Sequence, residues 1–193
     1  MVIKGNTVCS DADLMSSVAA GDDSAVRPIV LRYGDMVYRT AVRILCDRDK
    51  ARDVAQETFI RLWKKAGAYD PRFPLNSWLY RITVNLCLDQ LRRDRLLHPF
   101  SDLTRRERLP DGLVPSEASP EELLVLRESW SLFVRASQSL SPKQRIVFTL
   151  RELEDLDTQS VSELTGMSPD QIKSNLHFAR RKIMEVMRSD DIK

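Results

Sequence analysis

The densest chemical signal lies near the C-terminus, where Lys173, Arg180, Arg181, Lys182 and Arg188 face a single acid, Glu185. Lysine and arginine neutralise phosphates, while amides and hydroxyls bond base edges. Ser168, Gln171, Ser174, Asn175, His177 and Phe178 are interleaved with these cations. Such a helix suits a major groove, its N-terminal half against bases and its cations on phosphates. A solvated charged face on an ordinary bundle helix is the competing reading. A second pattern, Asp53, Gln56, Glu57 and Arg61, recurs at helical spacing as a polar, partly acidic ridge. It is either a docking edge for a basic surface or simply solvated. A third gathers Tyr69, Phe73, Trp78 and Tyr80 before a polar track of Asn85, Asp89, Arg92 and Arg93, a combination suited to stacking unpaired bases beside a strand backbone. Trp63 and Trp78 read more readily as core residues.

Enzymatic chemistry finds little to work with. The histidines are His98 and His177, no phosphate-binding glycine loop or H-E-x-x-H spacing occurs, and Cys9, Cys46 and Cys87 fit no C-x-x-C pattern. No catalytic group, cofactor or metal site is expected, and the thiols are expected reduced, two of them in core positions. Net charge is only +2, so basic character must come from local clustering. No apolar stretch approaches the roughly 20 residues of a membrane span, and the N-terminus lacks a signal-peptide pattern. A cytoplasmic location is expected.

Apolar residues recur at three- and four-residue spacing almost throughout, with few glycines and no sustained alternation, which predicts an all-α fold. Pro99, Pro110, Pro115 and Pro120, with Gly112 and neighbouring acids, mark a linker between two helical blocks. In the first block, Ser10 and Asp11 cap a short helix ending near Gly21. A second starts around Ser24 with Val26, Ile29, Val30, Tyr33, Val37, Tyr38, Ala41, Ile44 and Leu45 on its apolar face. A third runs from about Arg48 to Ala66 with Val54, Ala55, Phe59, Leu62 and Trp63 inward. After a loop with Pro71 and Pro74, Ser77 is the expected cap of a fourth helix ending at Arg93. The second block reads as a helix from about Ser119 to Ser139, one capped by Ser141 with Pro142 at its first position, then a helix-turn-helix. In the last, Gly166 supplies a left-handed turn, Met167 plugs the corner and Ser168 caps the final helix, whose buried stripe is Ile172, Leu176, Ala179 and Ile183.

The succession DVAQETFIRLW from Asp53, SWLYRITVNLCLDQLRR from Ser77, a variable linker, LSPKQRIVFTLR from Leu140 and GMSPDQIKSNLHFARRKI from Gly166 resembles regions 2 and 4 of extracytoplasmic-function RNA polymerase sigma factors of the sigma-70 family. The resemblance extends from about Ser10 to Met187. It implies two small helical domains joined by a flexible linker: region 2 over 10–95, linker 96–120 and region 4 over 121–188. It further implies that Asp53, Gln56, Glu57 and Arg61 dock on core RNA polymerase. Tyr69, Asp70, Phe73, Asn76 and Asn85 would hold a base flipped from the minus-10 element, with Arg81, Arg92 and Arg93 along the single strand. Double-stranded minus-35 DNA would meet Ser168, Gln171, Lys173, Ser174, Asn175, His177, Phe178, Arg180, Arg181 and Lys182. Many members read KSRLxRAR where this chain reads KSNLHFAR from Lys173, so Asn175 and Phe178 replace frequent arginines and shift the expected preference away from a GAAC-like core. The resemblance also implies a cognate anti-sigma factor, possible retention near the inner membrane through it, and a monomer when free of partners. The rival reading is a helix-turn-helix regulator that leaves the sigma subunit in place; such a protein would normally dimerise on two half-sites.

Overall fold

A computed structural model describes residues 9–97, 109–110, 113–115 and 117–190, and every regular element among them is helical. The chain forms α1 (Asp11–Ala19), α2 (Val26–Leu45), α3 (Arg48–Lys64), α4 (Leu75–Leu97), α5 (Pro120–Gln138), α6 (Pro142–Phe148), α7 (Thr158–Thr165) and α8 (Pro169–Asp190). Most of the expected linker, with Pro99, Gly112 and His98, lies outside the described residues.

The starts follow side-chain chemistry that relieves unpaired amides. Ser10 with Asp13, Ser119 with Glu122 and Ser141 with Gln144 form reciprocal capping boxes, and Pro120 and Pro142 occupy first-turn positions where no N–H is needed. Asp22 caps a short 3-10 turn that feeds α2, and Asp47 caps α3. Helix α4 begins at Leu75 rather than after Ser77. Leu75 is buried and anchors the first turn directly behind Pro74, so Ser77 sits inside the helix, where its N–H donates to Asn76 Oδ1 at 2.7 Å.

Two clusters hold the fold. The first joins α1, the N-terminal half of α2, the end of α3 and the start of α4 through Met15, Ile29, Val37, Leu62, Leu75 and Leu79. In the second, Val42, Ile44, Ala51 and Val54 of α2 and α3, and Val84, Cys87 and Leu91 of α4, share one core with Trp130, Val134, Ile146, Leu150, Val161 and Ile172. The two blocks are therefore packed on each other along α4, an arrangement no sequence pattern specifies. Thr58 and Thr83 lie fully buried between α3 and α4. Each donates to the carbonyl four residues back at 2.8 Å, and their hydroxyls are 3.3 Å apart. Lys50 Nζ, 2.8 Å from Asp94, ties the other ends of the same pair.

Two expected core residues stand outside. Trp63 is 45% exposed because Leu62 and Ala66 take the inward positions at this end of α3, and its indole N–H donates to Asp23 at 2.6 Å. Val30 lies at the edge of the α2 stripe and is exposed. Cys46 and Cys87 are buried and Cys9 is exposed; burial pushes the Cys87 thiol far up.

Gly166, at φ +71°, ends α7, and no atom lies within 4 Å of the place a Cβ would occupy. Gly166→Ala therefore tests backbone strain alone, and is expected to lower unfolding free energy by about 1–2 kcal/mol, with Gly166→Asn losing less. Urea denaturation of the three proteins checks this, and equal midpoints would contradict it.

Candidate nucleic-acid and polymerase interface

The α7–α8 corner is assembled from backbone economy. Asp157 caps α7 by accepting from Ser160 N–H at 2.7 Å, a bond that pulls its carboxyl below the usual range. Ser162 Oγ donates to the Met167 carbonyl at 2.8 Å, Met167 fills the corner, and Ser168 and Gln171 cap one another. Ile172, Leu176 and Ala179 are buried, which turns Lys173, Ser174, His177, Phe178, Arg180 and Arg181 outward; Ile183 is half-buried.

The outward residues are already ordered. The Arg181 guanidinium lies 5.2 Å from the centre of the Phe178 ring, and His177 meets that ring edge-on. Asn175 Nδ2 donates to the Gln171 carbonyl at 2.7 Å, laying the amide along the helix. Arg180 pairs with Glu152 at 2.7 Å. Lys182 departs from the expected set: its Nζ donates to the Ser139 carbonyl at 2.7 Å and reaches Gln144 Oε1 at 3.3 Å, so it braces the α5–α6 corner. A lysine 38 residues beyond the capping glutamine of α6 carries no periodic signal that it must satisfy a helix end.

On α4, Arg81, Asn85 and Arg92 recur on one exposed face, and Arg93 is exposed beside it with a 2.9 Å bond to Gln90. Arg92 stands 3.6 Å from Asp89. In the loop before α4, Tyr69 is half-buried, packs on Trp78 with ring centres 5.6 Å apart and donates to the Phe73 carbonyl at 2.9 Å. Phe73 itself is 62% exposed. Asp70 accepts from Arg72 at 2.5 Å, which holds its carboxyl below its ordinary value. Asn76 lies exposed in the first turn of α4. The structure thus brings Tyr69, Asp70 and Phe73 together around one loop and leaves Arg81, Asn85 and Arg92 along the helix beyond it.

On α3, Asp53 and Gln56 are exposed, while Glu57 and Arg61 pair at 2.8 Å across one helical turn. The ridge is a row of hydrogen-bonding groups whose unpaired negative charge is concentrated at its Asp53 end.

Two family models match: sigma-70 region 2 over residues 29–96 and sigma-70 region 4 over residues 131–183. The ECF RNA polymerase sigma factor SigW of Bacillus subtilis is 27% identical over 177 residues, which span 90% of this chain and 95% of that protein. The chain belongs to the extracytoplasmic-function sigma-70 family. Region 2 therefore comprises α2 to α4 for most of their length, and the matched part of region 4 begins within α5 and runs to the middle of α8. Two solved proteins share the fold at a TM-score of 0.63. CnrH, solved with the cytosolic domain of CnrY, is 20% identical and covers 93% of this chain and 98% of its own. RpoE of Bartonella quintana, solved with the anti-sigma factor NepR, is 22% identical and covers 85% and 97%. Among the described residues no helix is long and apolar enough to cross a membrane. The Arg43–Tyr80–Glu154 cluster between the two regions carries no sequence signal, because its members share no motif and Tyr80 and Glu154 alone are 74 residues apart.

The Asp70 geometry makes a pH prediction. Its folded-state pKa is depressed, so the Arg72 clamp stabilises the loop above the unfolded carboxylate value of about 3.9. That contribution is lost as pH falls through the lower folded value. A carboxyl ¹³C titration is expected to give Asp70 a midpoint below the ordinary value, and Arg72→Ala should raise it; coincident curves would contradict the clamp.

Proposed function

We propose that this protein is an alternative sigma factor that binds core RNA polymerase, directs initiation at a particular promoter class and performs no covalent chemistry itself. The observation that carries the reading is the presence, in one chain and in family order, of the α3 ridge, the arginine-lined α4 and the basic α8 of a helix-turn-helix. Asp53, Gln56, Glu57 and Arg61 act as the docking edge for core polymerase, with Asp53 supplying charge complementarity and the Glu57–Arg61 pair supplying oriented polar groups.

Promoter opening follows from the α4 region. Exposed Phe73 and the Tyr69 ring offer stacking surface, Asp70, Asn76 and Asn85 offer polar groups for a base edge, and Arg81, Arg92 and Arg93 offer positive charge along the strand. Extrusion of a base costs a few kcal/mol, and stacking returns about 1–3 kcal/mol per base, so melting proceeds without nucleotide hydrolysis. In the minus-35 groove, Asn175 addresses an adenine edge and Phe178 a thymine methyl. Lys173, Arg180 and Arg181 meet phosphates, with Ser168, Gln171, Ser174 and His177 at the N-terminal, base-facing half. Lys182 contributes by bracing the helix.

The protein works in the cytoplasm as a monomer until it joins polymerase, and an anti-sigma factor holds it in reserve. Support for an inhibitor of that type comes from the two fold relatives, solved with NepR and with the cytosolic domain of CnrY.

Run-off transcription with purified core enzyme on a genomic promoter pool tests the reading. Specific starts are expected only with the protein present, and Asp53→Lys with Glu57→Lys should lose them together with core affinity while remaining folded. No dependent starts would leave a helix-turn-helix regulator in its place. In a separate test, Asn175→Ala should relax preference at one minus-35 position. Arg181→Ala should weaken binding to all sequences and lower the salt slope by about 1. Indistinguishable behaviour of the two variants in titrations against randomised duplexes would remove the assigned docking.

A further inference from the structure

Helix α1 lies outside the residues matched to region 2, yet one carboxylate bolts it to them. Asp11, in the first turn of α1, sends both oxygens to α2: Oδ1 accepts from the Arg32 guanidinium and Oδ2 from the Tyr33 hydroxyl at 2.5 Å. The other terminal nitrogen of Arg32 donates to the Cys9 carbonyl at 3.1 Å. The start of α1 does not need Asp11, because Ser10 and Asp13 complete the capping box between them. The residue is spent instead on partners 21 and 22 positions away. Burial, then the hydrogen bond to Asp11, pushes the Tyr33 phenol up to about 12, so it remains a donor throughout the neutral range.

Pinned at that end, α1 lays Leu14, Met15 and Val18 into the core shared with Leu62, Ala66, Leu75 and Leu79. It packs directly on the 3-10 turn Ala66–Ala68 that follows α3. Tyr69 is the next residue; its N–H bonds the Ala66 carbonyl at 3.1 Å and its ring rests on the same core. The Asp11 charge is felt there as well. Burial first, then that charge, raises the Tyr69 phenol above its ordinary value.

The loop that carries Tyr69 and Phe73 is closed on its own atoms. Tyr69 donates to the Phe73 carbonyl at 2.9 Å, the Phe73 N–H donates to the Asp70 carbonyl at 3.1 Å, and Arg72 clamps the Asp70 carboxylate. These bonds fix the shape of the loop and leave its distance from the exposed face of α4 open. That distance is set by what the Tyr69 ring rests on, namely Trp78, with ring centres 5.6 Å apart, and the core that α1 completes. A hydrogen bond to a base edge holds only over a donor–acceptor window of about half an ångström. A small slide of Tyr69 therefore changes what the loop can capture without unfolding anything.

We propose that Asp11, through Arg32 and Tyr33, is a positioning residue for minus-10 recognition: it fixes α1 against the Tyr69–Phe73 loop and so sets the reach from that loop to Asn85. The proposal rests on the sigma reading for what the loop captures. Asp11 itself touches no DNA. The core that α1 completes is separate from the one that holds Ile172 and Leu176 of α8, so a change at Asp11 acts on the minus-10 contact and leaves the minus-35 contact alone.

Full-length Asp11→Asn, Asp11→Glu and Tyr33→Phe, each assembled with purified core polymerase, are titrated with a fluorescent single-stranded minus-10 oligonucleotide and with a minus-35 duplex, both taken from starts mapped by run-off transcription. Asp11→Asn is expected to weaken single-strand affinity about three- to tenfold, the range a lost hydrogen bond covers. Tyr33→Phe should lose less, and Asp11→Glu should keep most of the affinity. Binding to core enzyme and to the minus-35 duplex should be unchanged. In NMR spectra of the free protein, the Tyr69 and Trp78 ring signals should move in Asp11→Asn, while the indole of Trp130, in the other core, should not. A merely destabilised variant would weaken all three affinities together, and that result would overturn the proposal. So would unchanged single-strand affinity in Asp11→Asn, or ring signals that stay in place. An unaltered protein that yields no dependent start and captures no single strand would overturn the sigma reading and the proposal with it, whereas normal capture in the variant overturns the positioning role alone.

Discussion

Helix α4 has two obligations that compete for the same surface. Val84, Cys87 and Leu91 belong to the core that unites α2, α3 and the C-terminal helices, while Asn85 and Arg92 lie beside them in sequence and border the same interface. A helix turns about 100° per residue, so apolar and polar stripes one residue apart are neighbours on its surface. Any partner packed against the apolar stripe must crowd the polar one. Region 4 is such a partner here: it packs on Val84, Cys87 and Leu91 and brings Lys143 and Gln171 to the border of the polar stripe, while Asn85 and Arg92 stay exposed.

Charge in this chain is arranged by sign and by pairing rather than by total. Glu57 is matched by Arg61, Asp70 by Arg72 and Glu152 by Arg180, each at hydrogen-bonding distance. Such exposed pairs add little stability. They do fix long side chains in place, so less rotamer entropy is lost when a macromolecule docks. The Arg181–Phe178 stack has the same effect on the exposed side of α8.

What the sequence made legible is local. The capping serines, Pro120 and Pro142, Gly166 and the buried stripe Ile172, Leu176 and Ala179 each act within a few residues, and spacing alone identifies them. The failures share one cause, which is that the deciding partner lies elsewhere than the pattern points. Trp63 looks like core from its helical period, but Leu62 and Ala66 fill the inward positions there and Asp23 takes its N–H. Lys182, grouped with its basic neighbours by spacing, has a second contact that spacing does not indicate, the carbonyl of Ser139. Ser77 looks like a cap, yet buried Leu75 starts the helix earlier. Of the candidate interface, the loop of Tyr69, Asp70 and Phe73 and the exposed face of α8 were readable; the packing of one region on the other was not.

The paired threonines at the α3–α4 contact have a metrological meaning. Each hydroxyl is spent on its own helix, and the remaining freedom brings the two oxygens to 3.3 Å in an otherwise apolar seam. Apolar side chains tolerate a small slide along a helix axis, whereas two hydroxyls in register do not, because a shift of one residue is about 1.5 Å of rise and would leave both facing hydrocarbon. The pair therefore acts as a zero mark between two scales, the ridge on α3 and the arginine track on α4. The relative setting of those two exposed surfaces is thus decided at Thr58 and Thr83, inside the seam and out of reach of anything that touches either one.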